Sequence, residues 1–187
     1  MAVLNKTLRA LLCGTLGLMA LLRGASGAEA PTEYQVKAVF VYNFSRFVEW
    51  PPQVFSAPDE PFVIGILGGD PFGPRLDEAV RGERIDQHPL LVRRFRNLGE
   101  IGDCRILYID RSESAQLQQI LAALDHRSIL TVSDLDGSSQ HGVMIQFTTD
   151  NNRIRLRINV ESARASGLTI SSKLLRSADI VGTRDGT

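Results

Sequence analysis

Cysteine is nearly absent from this 187-residue chain: Cys13 and Cys104 are the two present. Cys13 lies in an N-terminal stretch that reads as an export signal, so one thiol is expected in the mature protein. A single thiol cannot close an internal disulfide, and stability must come from the core. Histidine is scarce as well. His88, His126 and His141 stand far apart in unlike contexts, and none forms a pair at metal-ligand spacing with a glutamate placed to assist. No metal site is expected. There is no Gly-x-Ser-x-Gly elbow, and Ser133-Asp134 reads as a turn opener at the end of a strand. Asp134 and Asp136 have no patterned third partner and read as solvated turn residues. The sequence shows no catalytic constellation, and an enzyme is not expected.

The chain also lacks an apolar run long enough to span a bilayer, which needs about 20 residues. Lys6 and Arg9 precede the run from Ala10 to Leu22, Arg23 closes it, and Ser26-Gly27-Ala28 supplies the small residues a signal peptidase reads. Residues 1–28 are therefore expected to be a signal peptide and residues 29–187 a single domain with its core in 34–181. Without residues 1–28 the chain carries 18 basic and 21 acidic residues, a balance that does not suggest nucleic acid. Lysine is the other scarcity: beyond the leader only Lys37 and Lys173 occur. Positive charge is thus nearly all guanidinium, suited to planar pairing with carboxylates or phosphates.

Residues 33–50 place Val36, Val39, Phe40, Phe44 and Phe47 at helical spacing, with Asn43 in the same stripe and Pro51-Pro52 as the stop. Packing is the expected role of the aromatics. A buried Asn43 amide would need a backbone partner, or would line a pocket. The apolar run Phe62 to Leu67 reads as a buried strand, followed by Gly68-Gly69-Asp70-Pro71-Phe72-Gly73 and a helix through Leu76, Ala79 and Val80 that Gly82 stops. The spacing of those glycines departs from the dinucleotide fingerprint, and the next strand, Leu90 to Val92, ends in Arg93-Arg94 and not in an acid. A tight turn is expected.

A third strand follows at Arg105 to Ile109, with Cys104 at its start as a core filler. Ser112 can cap a helix with Leu117, Ile120, Leu121 and Leu124 on one face, and Ile129 to Val132 forms a fourth strand. Val143 to Thr148 and Arg153 to Val160 then make a hairpin through Asn151-Asn152, since Asn tolerates the left-handed turn. The second strand alternates: Ile154, Leu156, Ile158 and Val160 face one way, Arg153, Arg155, Arg157 and Asn159 the other. Asn159 can cap a helix that Gly167 ends, and Ser171 a further one through Lys173, Leu174, Leu175 and Ala178. The expected fold is a three-layer α/β/α domain, its sheet mostly parallel with the antiparallel hairpin at one edge.

Two segments together are more specific. Lys37-Ala38-Val39-Phe40-Val41-Tyr42-Asn43-Phe44 through Trp50-Pro51, and Arg155-Leu156-Arg157-Ile158-Asn159-Val160 through Gly167 to Leu175, resemble the YfiR family of periplasmic proteins. Ile64 to Gly68 with Asp70 to Gly73, Leu130 to Asp134, and Gly142 to Ile145 are similar to motifs of that family lying between them. The resemblance covers roughly Tyr34 to Val181, with the motifs in order. It implies a periplasmic regulator without enzymatic activity or cofactor, which represses an inner-membrane diguanylate cyclase by binding its periplasmic domain and is relieved by an outer-membrane partner. Cyclic di-GMP and biofilm control follow from that role. The better-known members carry disulfide-forming cysteines, which one remaining thiol cannot reproduce.

The alternative is a periplasmic sensor that binds a small ligand near the Asn43 helix. Residues expected at a partner or ligand site are Tyr42, Asn43, Trp50, Arg153, Arg155, Arg157, Ser172 and Lys173. A homodimer is an assembly that the sequence leaves open.

Overall fold

The computed structural model describes residues 31–182. The segment read as a signal peptide, with Cys13, lies outside the described residues. The first helix, α1 (Glu33–Phe47), opens with a reciprocal cap. Gln35 N donates to Thr32 Oγ1 (3.4 Å) and Thr32 N to Gln35 Oε1 (2.6 Å), which satisfies two N–H groups that a helix start leaves orphaned. The expected helix to Trp50 ends early, because Val48 and Glu49 leave it as a two-residue strand, β1. Val48 pairs with Ile170 and Glu49 with Thr169 of β9 (Thr169–Ile170), so strand pairing captures the chain before Pro51 would have stopped it.

The buried stripe of α1 is also rotated from the expected one. Ala38, Val41, Phe44 and Ser45 are buried together with Lys37, whereas Val39 is 50% exposed. Hydrophobicity alone misplaces the face because its central member is a cation with a buried partner.

Eight strands form the main sheet in the order β10-β8-β7-β6-β5-β2-β4-β3. They are β2 (Phe62–Leu67), β3 (Arg84–Ile85), β4 (His88–Phe95), β5 (Ile106–Ile109), β6 (Leu130–Ser133), β7 (Ile145–Asp150), β8 (Arg153–Asn159) and β10 (Asp179–Val181). β4, β2, β5, β6 and β7 run parallel in turn, and β7 and β8 form the antiparallel hairpin. Asn151 (φ 48°) and Asn152 (φ 61°) adopt the left-handed turn read from the sequence. Two short strands were not read: β3 folds back antiparallel on β4, and β10 adds in parallel outside β8.

Helices cover both faces. On one, α1 and α2 (Pro74–Val80) bring Phe44 and Leu76 against Ile64, Ile66, Tyr108, Val132 and Phe147. On the other, α3 (Leu117–Ala123) sets Leu117 and Ile120 against Val63, Leu67, Leu107 and Ile109, with Cys104 among them. Each fully buried aliphatic side chain contributes about 1.5–3 kcal/mol. The helical region before α3 starts from Asp110, whose carboxylate accepts from Ser112 N (2.9 Å), so Asp110 and not Ser112 is the cap. Asn159 caps α4 (Val160–Ala165) as expected, and Ser171 caps α5 (Ser172–Leu175). α5 stops short of Ala178: the Ser177 hydroxyl donates to Leu174 O at 2.8 Å, and β10 begins at Asp179.

Candidate functional site

The two segments that carry the family resemblance are bonded to each other. The β1–β9 ladder continues in Ser171 N donating to Phe47 O (2.8 Å), and the Lys173 ammonium stands 5.6 Å above the Phe47 ring. Asn43 and Lys173, far apart in sequence, line one groove of about 290 Å³ with Phe40, Phe44, Phe47, Leu174 and Ser177. The Asn43 amide donates to Val39 O at 2.9 Å within its own helix. Its carbonyl oxygen has no hydrogen bond among the described residues. Ser172, at the start of α5, is exposed.

Tyr42 and Trp50 point elsewhere. The Tyr42 hydroxyl donates to Glu83 (2.6 Å) and accepts from Arg46 (2.7 Å). Burial first, and then the bond to Glu83, raise its pKa. Trp50 Nε1 donates to Arg105 O at 3.2 Å, and its ring meets Phe62 edge-on at 5.0 Å. Neither lines the Asn43 groove.

The arginines of β8 stand where the alternation puts them. Leu156 and Ile158 are buried, Arg153 and Arg155 are exposed and Arg157 is half-buried. Across the hairpin they oppose Asp150, Thr148 and Gln146, and Asp179 of β10 lies beside Arg157. Among the described residues none of the three forms an ion pair within 4.0 Å. With Arg176 and Ser177 from the end of α5 and beyond, Arg155 and Arg157 line a polar groove of about 650 Å³. Ser177 also lines the Asn43–Lys173 groove, so four of the eight expected residues, Asn43, Lys173, Arg155 and Arg157, line two adjoining concavities, while Tyr42, Trp50, Arg153 and Ser172 line neither.

Charge separates along the chain in the same sense. Residues 151–187 hold seven basic and three acidic side chains, while residues 29–150 hold 11 basic and 18 acidic. The arginine face thus belongs to a net positive segment that follows a net negative one.

One buried cluster escaped the sequence reading. Asp134, expected as a solvated turn residue, is buried at the carboxyl end of β6. Its Oδ2 accepts from Lys37 Nζ (2.7 Å) and Tyr34 OH (2.9 Å), and its Oδ1 from Arg111 Nε (3.0 Å). Lys37 also meets Glu33 at 2.6 Å. Burial alone would raise the carboxyl's pKa, but the bond and charge of Lys37, with the tyrosine, outweigh it and hold Asp134 below its ordinary value. Tyr34 is pushed up to about 12 by burial and by its bond to that carboxylate. Both Asp134 oxygens are committed, so the cluster acts as a strut between α1 and the sheet. The sequence signal for it is a lysine in an apolar helix stripe together with an aspartate at the end of a buried strand. Asp136 is exposed as expected.

The glycine turn after β2 is closed by its own side chains. Gly69 N donates to Ser112 Oγ (3.1 Å), and Asp70 Oδ1 accepts from Phe72 N (2.9 Å) and Gly73 N (3.0 Å). Arg94 bridges Asp70 (2.8 Å) and Asp77 and donates to Gly73 O (3.0 Å). A Cβ on Gly69 would sit 2.8 Å from Asp110 Oδ2. Main-chain donors already used, beside three carboxylates, make a poor cradle for a phosphate, and the tight-turn reading fits. Cys104 is fully buried, and burial pushes its thiol up to about 12, which suits an inert core residue.

Among the described residues no helix is long and apolar enough to cross a membrane, and no group of three or more His, Cys, Asp or Glu is placed to hold a metal. No curated protein matches the chain. The family profile described as YfiR/HmsC-like matches residues 34–179, most of the chain. The chain therefore belongs to the YfiR/HmsC-like family, whose members are periplasmic regulators of diguanylate cyclase signalling and not enzymes.

Proposed function

We propose that this chain is exported, with Glu29 as the first mature residue, and acts in the periplasm as a non-catalytic regulator that binds and represses a membrane-bound diguanylate cyclase. The contact is the arginine face of β8 with the adjoining Asn43–Lys173 groove, set against an acidic surface on the cyclase's periplasmic domain. An outer-membrane partner that competes for this contact would relieve the repression.

The observation that carries this reading is the concentration of arginine, without ion pairs among the described residues, on one face of β8, where Arg153 and Arg155 are exposed and Arg155 and Arg157 line a polar groove. Like charges two residues apart on such a face repel one another, and an acidic partner removes that repulsion. A solvated face that discourages edge aggregation is the competing account. The direct test is binding of the purified protein to the isolated periplasmic domain of the cyclase, with Arg155→Gln/Arg157→Gln beside the wild type. Weaker binding by the variant at unchanged thermal stability supports the reading; equal binding refutes the arginine contact.

A second reading draws on the groove of about 290 Å³ under Asn43. Its size and its mix of three phenyl rings with one amide and one ammonium suit a small ligand, which would make the protein a sensor. Asn43→Ala would then abolish ligand binding while leaving the fold intact.

A further inference from the structure

The hairpin β3–β4 borders a cleft of about 800 Å³ whose other walls come from β1, Trp50 and the segment 52–58. Its floor is aromatic. Trp50 and Phe62 meet edge-on at 5.0 Å, and Phe55 stacks on His88 with centroids 3.8 Å apart. Its charged lining residues are balanced in sign: Arg46 and Arg84 against Glu49 and Asp86. This cleft shares no lining residue with the arginine groove or the Asn43–Lys173 groove.

One wall carries free main-chain groups. β3 is the outermost strand of the sheet on this side and pairs only with β4, Arg84 opposite Pro89 and Ile85 opposite His88. Leu90 N donates to Glu83 O at 3.1 Å. Bonded and non-bonded pairs alternate along an antiparallel ladder, and Pro89 has no N–H, so Arg84 occupies a non-bonded position. Its N–H and C=O therefore point away from β4, along the open edge of the sheet.

We propose that this cleft binds an extended peptide segment of a partner protein, added as a strand beside β3 through the N–H and C=O of Arg84. An aromatic side chain of the segment would rest against Trp50, Phe55 and Phe62. Charges of both signs on the segment would face the balanced pairs of the lining. Strand addition is favoured over a polyproline ligand because the indole N–H, the donor such a ligand would use, is already given to Arg105 O. The balanced charge sets this site apart from the arginine face, which would select acids alone.

The test selects random seven-residue peptides displayed on phage against the purified protein, and then titrates a synthetic enriched peptide into isotope-labelled protein. The expected outcome is enrichment of sequences that hold an aromatic residue with charged neighbours. Saturating peptide then slows hydrogen exchange of the Arg84 amide by about tenfold or more and shifts the Trp50 indole resonance. Arg84→Pro removes the N–H and is expected to weaken the peptide by about tenfold or more, whereas Arg155→Gln/Arg157→Gln leaves its affinity unchanged. Should Arg84→Pro not fold, exchange at Arg84 in the wild type decides alone. No enrichment, or a bound peptide that leaves Arg84 exchange unchanged, overturns the proposal. Because the arginine-face variant is tested in parallel, failure of either site is seen separately.

Discussion

Lys37 Nζ lies 2.7 Å from Asp134 Oδ2, and both side chains are almost wholly withdrawn from water. The pair joins the first turns of α1 to the carboxyl end of β6. Removing Lys37 leaves the buried Asp134 carboxylate with Tyr34 and Arg111 as its remaining partners, and breaking a buried ion pair in this way costs up to about 3–5 kcal/mol. Lys37→Met is expected to destabilise the protein by that order, and Lys37→Met/Asp134→Leu by less than the single change. Urea unfolding of the three proteins at pH 7 measures this.

The same pair fixes the acid response. Asp134 in the folded protein titrates below its ordinary value, so the unfolded chain takes up the proton first as pH falls. Its contribution is fully present above about pH 4, the unfolded carboxyl value, and is lost as pH drops through the folded value. In Lys37→Met the strongest pull that lowers the carboxyl is gone, and Tyr34 with Arg111 remain to oppose burial, so the folded value rises and stability should gain less as pH rises towards and past about 4. Unfolding free energies between pH 3 and 7 would rise less with pH in Lys37→Met than in the wild type; parallel slopes would contradict the assignment.

Cys104 should be inert. Its folded thiol is pushed up to about 12, so it opposes ionisation, and its contribution to stability is present below the ordinary thiol value and lost as pH rises through the folded one. Alkylation of the native protein at pH 8 is expected to be negligible and to appear on unfolding. Cys104→Ser places a hydroxyl in the core and is expected to cost about 1–3 kcal/mol without loss of partner binding.

The clasp between α1 and the distal segment rests on Ile170, which is 8% exposed and pairs with Val48. Ile170→Ala should cost about 2–5 kcal/mol, against less than about 1 kcal/mol for Asn43→Ala, whose amide bonds only its own helix. Thermal melts of the two variants compare them, and equal shifts would argue against a structural clasp.

In cells, loss of the protein is expected to raise cyclic di-GMP and surface attachment. Nucleotide levels that do not change in a clean deletion would turn the account towards the ligand sensor.

The parallel strands, the Asn151-Asn152 hairpin and the alternation on β8 were legible in the sequence because each depends on local pattern. What was not legible depends on distant partners. Asp134 looks solvated until the helix that carries Lys37 meets the strand end, and Val48-Glu49 looks helical until β9 is beside it. β3 and β10, at two and three residues, are too short for a periodic signal. Of the candidate site, composition and alternation pointed to the arginines. That Asn43 and Lys173 share a groove follows from the β1–β9 ladder, which no local pattern encodes.

The central claim, that the arginine face of β8 meets an acidic partner, is tested most directly by the association rate with the cyclase's periplasmic domain across ionic strength. Arg155→Gln/Arg157→Gln keeps polarity and leaves Leu156 and Ile158 untouched in the core, so the fold should survive. The account predicts wild-type association that is fast at low salt and slows steeply as salt rises, with a slower and flatter response from the variant. Coincident curves for the two proteins would contradict it.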